Sequence, residues 1–269
     1  MELVAAAKLR RAEARIEALR PYAERMRELM IGTARATPSR GFPLLEEREN
    51  ASSVAIVPLT GDRGLAGGFN ANLIKEGRNL LARLDREGTE TVLRIVGRKG
   101  LGYFRYVGRP IESSRTDFTD RPTAENAADL VNDLIGQFER GEIDAVYVVY
   151  AKFNSALSTP PTTVKVLPVT PPEAKSDGKG GLRHDYLLFP SAEAILEQLL
   201  PLYVRNAVYR ALVETAAAEQ GARRTAMKNA TDNAGDILNV LRRTYNRARQ
   251  AQITQEIAEI VGGSAALEG

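Results

Sequence analysis

The chain has 269 residues, of which 43% are hydrophobic and 26% charged, with a formal net charge of +3. That is the balance of an ordinary globular protein, and no run approaches the ~20 apolar residues that a membrane-spanning helix requires. There is no cysteine and a single histidine, His184, which excludes disulfides, thiolate metal sites and cysteine nucleophiles and argues against any histidine-based metal cluster or triad within one chain.

Residues 1–10 read as the start of a charged helix, not as a targeting segment. Across 1–36, the residues Leu9, Ala12, Ile16, Leu19, Ala23, Met26 and Met30 step alternately by 3 and 4, which is a heptad seam. Pro21 falls inside this helix and should kink it near Arg20. Pro38 and Pro43 end the regularity. From 52 to 170 the pattern alternates between strand and helix. Residues 54–59 form a strand, and 70–86 an amphipathic helix with Leu73, Leu80, Leu81 and Leu84 apolar. A strand at 91–96, a short helix at 98–106 and a helix at 123–140 ended by Gly141 follow. Residues 144–150 are a buried strand, and 162–169 an edge strand flanked by prolines. Continuous apolar strands separated by helices predict a mostly parallel sheet covered on both faces. A polar Gly/Lys/Asp loop follows at 171–185, where His184 reads as a solvated loop residue.

Residues 191–261 form one long helix that includes Pro201. The part from 202 to 261 alone would span about 90 Å. Its seam, Ala230, Ala234, Ile237, Leu241, Thr244, Ala248 and Ala251, also steps by 4 and 3, and its small residues favour close helix axes. The expected fold class is therefore α/β. A long antiparallel coiled coil of the N- and C-terminal helices (1–36 and 191–261) carries a central Rossmann-like α/β domain (52–170) with a mostly parallel sheet, and 171–190 returns the chain to the shaft. The longer helix outruns its partner, so part of it is expected to insert into another protein.

Charge is unevenly spread. Residues 1–36 hold eight Lys/Arg against five Glu, and 241–250 hold Arg242, Arg243, Arg247 and Arg249 with no acid. Such helix reads either as a solvated face or as a docking surface for an acidic partner. The loop after the first strand is rich in glycine: Gly61, Gly64, Gly67 and Gly68. It lacks the Lys and Ser/Thr of a phosphate-binding P-loop and the spacing of the dinucleotide motif. Its backbone amides leave anion binding open at this point, beside the alternative of a tight turn built on positive φ.

The run Thr60-Gly-Asp-Arg-Gly-Leu-Ala-Gly-Gly-Phe-Asn70 resembles the S/T-D-R-G-L-C-G-G-x-N motif of the gamma subunit of F-type ATP synthase. Residues 1–11 are similar to that family's N-terminal shaft helix, and Arg20-Pro-Tyr-Ala-Glu24 also matches. Residues 226–235 and 245–260 look like its C-terminal signature. The resemblance covers essentially the whole chain. Two departures stand out: the family pattern carries further helical turns ahead of the position of Met1, and Ala66 replaces the usual Cys.

The resemblance implies a central-stalk rotor with no catalytic site and no cofactor or metal of its own. Its partners would be the alpha and beta subunits of a catalytic ring, the epsilon subunit and the c-subunit membrane ring. It would sit as a peripheral membrane protein on the cytoplasmic face of the bacterial plasma membrane, coupling proton-driven rotation to the conformational cycling of beta. By family motif, Arg249 and Gln250 would hydrogen-bond the beta catch loop, with Thr254, Glu256 and Glu259 further along the same helix. Lys8 would lie near that level on the antiparallel helix. Asp62, Arg63 and Gly64, with Arg10 and Arg11, would face the acidic lever loop of beta. Two alternatives are a nucleotide-binding α/β protein with helical dimerisation arms and a coiled-coil scaffold that transmits no torque.

Overall fold

The computed structural model describes residues 1–36, 41–48, 51–116, 118–171 and 191–268. His184 and the polar loop expected after Pro171 lie outside them. The chain divides into two units, Met1–Thr225 and Ala226–Gly269.

In the first unit, helix α1 (Glu2–Ala36) runs through Pro21, and every seam residue from Leu9 to Met30 is buried or half-buried. Five strands follow: β1 (Ser53–Pro58), β2 (Glu90–Val96), β3 (Ser113–Arg115), β4 (Ala145–Ala151) and β5 (Pro161–Leu167). They form one sheet in the order β3-β2-β1-β4-β5. β1 is parallel to both β2 and β4, in register Val54↔Thr91 and Ala55↔Val146. β2 is parallel to β3. β5 runs antiparallel to β4 at the edge, where the prolines at its start and after its end need no ladder partner. The sheet is thus mostly parallel, as expected. β3 was not anticipated. It is three residues long and polar, and it pairs in register with Arg94, Ile95 and Val96.

Alternation along β1 explains the two cores. Val54 and Ile56 face α2 (Phe69–Arg86) and α3 (Arg98–Tyr106), packing with Leu73, Leu80, Leu84 and Phe104. Ala55 and Val57 face α4 (Ala124–Glu139) and the shaft, packing with Val131, Leu134 and Phe138, and with Met26 and Met30 of α1. α4 begins with a capping box. The Thr123 hydroxyl accepts from the Asn126 N–H at 3.2 Å, and the Asn126 side chain accepts from the Thr123 N–H at 3.0 Å. It closes at Gly141, whose φ of +79° suits glycine.

Helix α5 (Ala192–Glu268) is 77 residues long and passes through Pro201. Its first part packs antiparallel to α1. Lys8, Ala12 and Arg15 share a small cavity with Gln220, Ala216 and Val213, whereas Ile16, Ala23 and Arg27 share another with Val213, Arg210 and Asn206. The second cavity, of about 340 Å³, explains why Ile16, Leu19 and Ala23 are only half-buried. From Ala211 to Gly221 every residue of α5 is buried, including Glu214, Thr215, Glu219 and Gln220. In the second unit every side chain from 228 to 264 is exposed. The small-residue seam from Ala230 to Ala251 is therefore exposed along its length. The seam that pairs with α1 lies earlier on α5, in the stretch ending near Gly221.

Candidate partner-contact sites: the glycine loop and the exposed helix

The glycine loop leaves β1 at Leu59 and enters α2 at Phe69. Thr60 pins it to the next strand. Its hydroxyl donates to the Val96 carbonyl at 2.8 Å and accepts from the Gly100 N–H at 2.9 Å. Gly97 and Gly100 make room for Thr60: a Cβ at residue 97 would fall 2.0 Å from the Thr60 carbonyl oxygen. Asn70 closes the loop by accepting from the Gly61 N–H at 2.8 Å and donating to the Arg63 carbonyl at 3.2 Å. Asp62 is engaged within the chain, accepting from the Arg98 N–H at 2.8 Å and from the Thr119 hydroxyl at 2.6 Å.

Asp120, in the segment between β3 and α4, gathers three elements. One carboxylate oxygen takes the Lys8 ammonium at 2.7 Å and the Arg63 guanidinium at 3.6 Å. The other accepts from the Gln220 amide at 3.2 Å. Burial works against this charge, but the bond and charge of Lys8, with Arg63 and Arg223 nearby, hold the Asp120 carboxyl below the usual range. Across the loop, Glu219 of α5 is 4% exposed and pairs with Arg223 one turn on, while Arg223 also donates to the Gly64 carbonyl at 3.3 Å. Burial pushes the Glu219 carboxyl up. Arg223 opposes that by hydrogen bond and charge, and the Asp120 and Asp62 carboxylates add to the upward push.

This geometry answers whether the loop holds a phosphate. In open α/β sheets a ligand sits outside the carboxyl ends of the strands, where the strand order reverses. Here that place lies between β1 and β4, and α5 fills it. The Thr215 hydroxyl accepts from the Ala151 N–H at 3.3 Å, the Glu214 carboxylate accepts from the Phe153 N–H at 3.2 Å, and Glu219 lies against Gly61. The adjoining cleft of about 370 Å³ is lined by Asp62, Asp120 and Glu219 as well as Arg63 and Arg98. Three carboxylates repel a phosphate that two arginines would attract.

The structure thus brings Lys8, Asp62, Arg63 and Gly64 together around this junction. Lys8 lies opposite Val213–Gln220, the buried part of α5 that pairs with α1. Arg10 and Arg11 are exposed on α1. Arg249, Gln250, Thr254, Glu256 and Glu259 are exposed on α5. Among them the contacts are local to the helix: the Thr254 hydroxyl donates to the Gln250 carbonyl at 2.9 Å, and Gln252 and Gln255 donate to Glu256 and Glu259. Sequence reasoning missed Asp120, Glu219, Gln220 and Arg223. The signal was the run from Ala216 to Gly221, whose small residues follow no amphipathic period and so point to a helix buried all round.

A family model described as ATP synthase matches residues 1–267. The ATP synthase gamma chain of Gemmatimonas aurantiaca is 59% identical over 269 residues, covering all of this chain and 92% of that one. The ATP synthase gamma chain of Frankia casuarinae is 43% identical, covering 99% and 91%. Among solved structures, a chain of the Tetrahymena thermophila mitochondrial ATP synthase central stalk and c-ring superposes with a TM-score of 0.62 at 25% identity, over 86% of this chain and 97% of that one. A chain of the Euglena gracilis mitochondrial enzyme shares the fold, with a TM-score of 0.61 at 20% identity over 97% and 95%.

Proposed function

This chain belongs to the ATP synthase gamma-chain family, and on that premise we propose that it turns inside a ring of alpha and beta subunits without performing chemistry itself. Its role is that of the central-stalk rotor subunit. It couples proton-driven rotation of the c-subunit ring to the conformational cycling of the beta sites, with epsilon as a further partner. No helix among the described residues is long and apolar enough to cross a membrane. We place the subunit on the cytoplasmic face of the bacterial plasma membrane, attached through its partners.

One observation carries this reading. Ile237, Leu241, Tyr245, Ile253, Ile257 and Ile260 are all exposed on α5, too much apolar helix to leave in water. A surrounding ring would cover it. Arg249 and Gln250 then meet the beta catch loop, Thr254, Glu256 and Glu259 line the same stretch, and Arg10, Arg11 and Arg63 face an acidic segment of beta. Residues 1–36 and 191–261 act as shaft and 52–170 as the domain that carries it, with 171–190 joining them. Each beta site is biased by the contacts it makes at a given shaft angle. Exposed ion pairs contribute only ~0–1 kcal/mol each, so shape and stiffness carry the torque.

The test is reconstitution with alpha and beta subunits. A rotor raises ATP hydrolysis by the ring, and a passive scaffold does not. Saturable tight binding of ATP by the isolated chain at 64–69 would instead support a nucleotide-binding protein.

A further inference from the structure

The junction around Asp120 does more than close a loop. Its contacts come from four separate elements: Lys8 on α1, Gln220, Glu219 and Arg223 on α5, Arg63 and Gly64 in the glycine loop, and Asp120 itself between β3 and α4. The two shaft helices grip different oxygens of one carboxylate: Lys8 takes Oδ2 and Gln220 takes Oδ1. Neither helix can turn about the other, or about the sheet, without breaking one of these bonds.

The steric side is equally specific. Glu219 occupies the space beside Gly61, where a Cβ would fall 2.8 Å from its Cδ. At Gly221, half a turn further, a Cβ would fall 3.1 Å from the Ala156 carbonyl oxygen. The helix therefore fits the domain at two points: Glu219 fills the notch at Gly61 of the glycine loop, and the Ala156 carbonyl of the β4–β5 hairpin approaches the bare backbone of α5 at Gly221. Glu219 and Arg223 are 5% and 15% exposed at their side chains, so their pairing is screened less by salt than the surface pairs elsewhere.

We infer that Asp120, Lys8, Gln220, Glu219 and Arg223 form a torsional clamp that fixes the shaft helices to the α/β domain, so that torque applied to the domain reaches the shaft without slip. These are positioning residues: they touch no nucleotide and act through the angle at which the shaft is held. The inference rests on the rotor reading above.

The test uses the assembled alpha–beta complex containing the full chain. Since the chain has no cysteine, Tyr106→Cys, at a position 90% exposed on the domain, gives a unique attachment for a bead. The width of the bead's angular distribution during catalytic pauses reports torsional stiffness. Asp120→Asn weakens three of the five polar links at once, and the angular variance is expected to rise roughly twofold or more as the network loosens. Lys8→Met, a milder change on a partly exposed side chain, broadens the distribution in the same direction, and Lys8→Arg restores it. A variant whose melting temperature falls while its angular variance stays at the wild-type value overturns the clamp, as does Lys8→Met with unchanged variance. If instead the unmutated chain neither stimulates hydrolysis nor rotates the bead, the rotor reading fails first.

Discussion

Glu219 of α5 fills the place that a side chain at Gly61 would need, with a Cβ at residue 61 falling 2.8 Å from the Glu219 Cδ. This contact links the glycine motif to the long helix, elements 158 positions apart in the chain (219 less 61). It explains why a loop of nucleotide-binding appearance serves packing instead. Gly61→Ala forces the buried Glu219 carboxylate away from its site beside Arg223 and is expected to destabilise the chain by about 1–3 kcal/mol. Thermal unfolding checks this. The double variant with Glu219→Ala should recover part of the loss, because the two residues contact each other and their effects are not additive.

Not every glycine in the domain is equally constrained. Gly97 has φ +97°, and a Cβ there would lie 2.0 Å from the backbone of Thr60. Gly88 has φ +76° with open space around it. Gly88→Ala should cost about 1–2 kcal/mol for the left-handed backbone alone. Gly97→Ala adds a clash with the backbone of the first loop and should exceed about 3 kcal/mol. Equal melting temperatures for the two variants would show that Thr60 is not fixed as described.

Asp144 anchors the start of β4. Its carboxylate accepts from Arg48 at 2.8 Å, and from the Ser52 N–H, the Ser52 hydroxyl and the Ser53 N–H at 2.7 to 2.9 Å. Burial opposes ionisation, but these donors outweigh it and lower the carboxyl to about 2. An unfolded aspartate titrates near ~4, so this stabilisation is complete above about pH 4 and drains away as pH falls towards 2. Asp144→Asn should lose about 2 kcal/mol at neutral pH and flatten the dependence of unfolding on pH over that acidic window. Denaturant titrations at several pH values measure both.

Arg249 and Gln250 are exposed. Replacing both by Ala should leave the stability of the isolated chain within about 0.5 kcal/mol, while ATP-driven proton pumping per ATP hydrolysed falls in the assembled enzyme. Unchanged coupling would remove these residues from the beta contact.

The elements were largely legible because each rests on local physics. The period of the apolar residues marked α1 and α2. Thr123 and Gly141 marked the ends of α4 through their capping chemistry, and continuous apolar runs marked β1, β2 and β4. β3 escaped notice because Ser113–Arg115 carries no apolar signal and exists only as an edge partner of β2. The long C-terminal helix was evident, but the stretch of it that meets α1 was not. Spacing marked the seam from Ala230 to Ala251, which is exposed, whereas the buried run from Ala211 to Gly221 that reaches α1 follows no amphipathic period.

By itself the sequence determined the class of fold, the two long helices, the family and the exposed helix that calls for a surrounding partner, since all of these follow from residues near one another along the chain. Only the tertiary structure decided that Lys8 meets Asp120 and Gln220, that Glu219 stands in the notch at Gly61, and that α5 fills the crevice where a related sheet would hold a ligand. Those contacts join residues up to 212 positions apart (220 less 8). Their partners are chosen by the register of helices against the sheet, which no local pattern encodes.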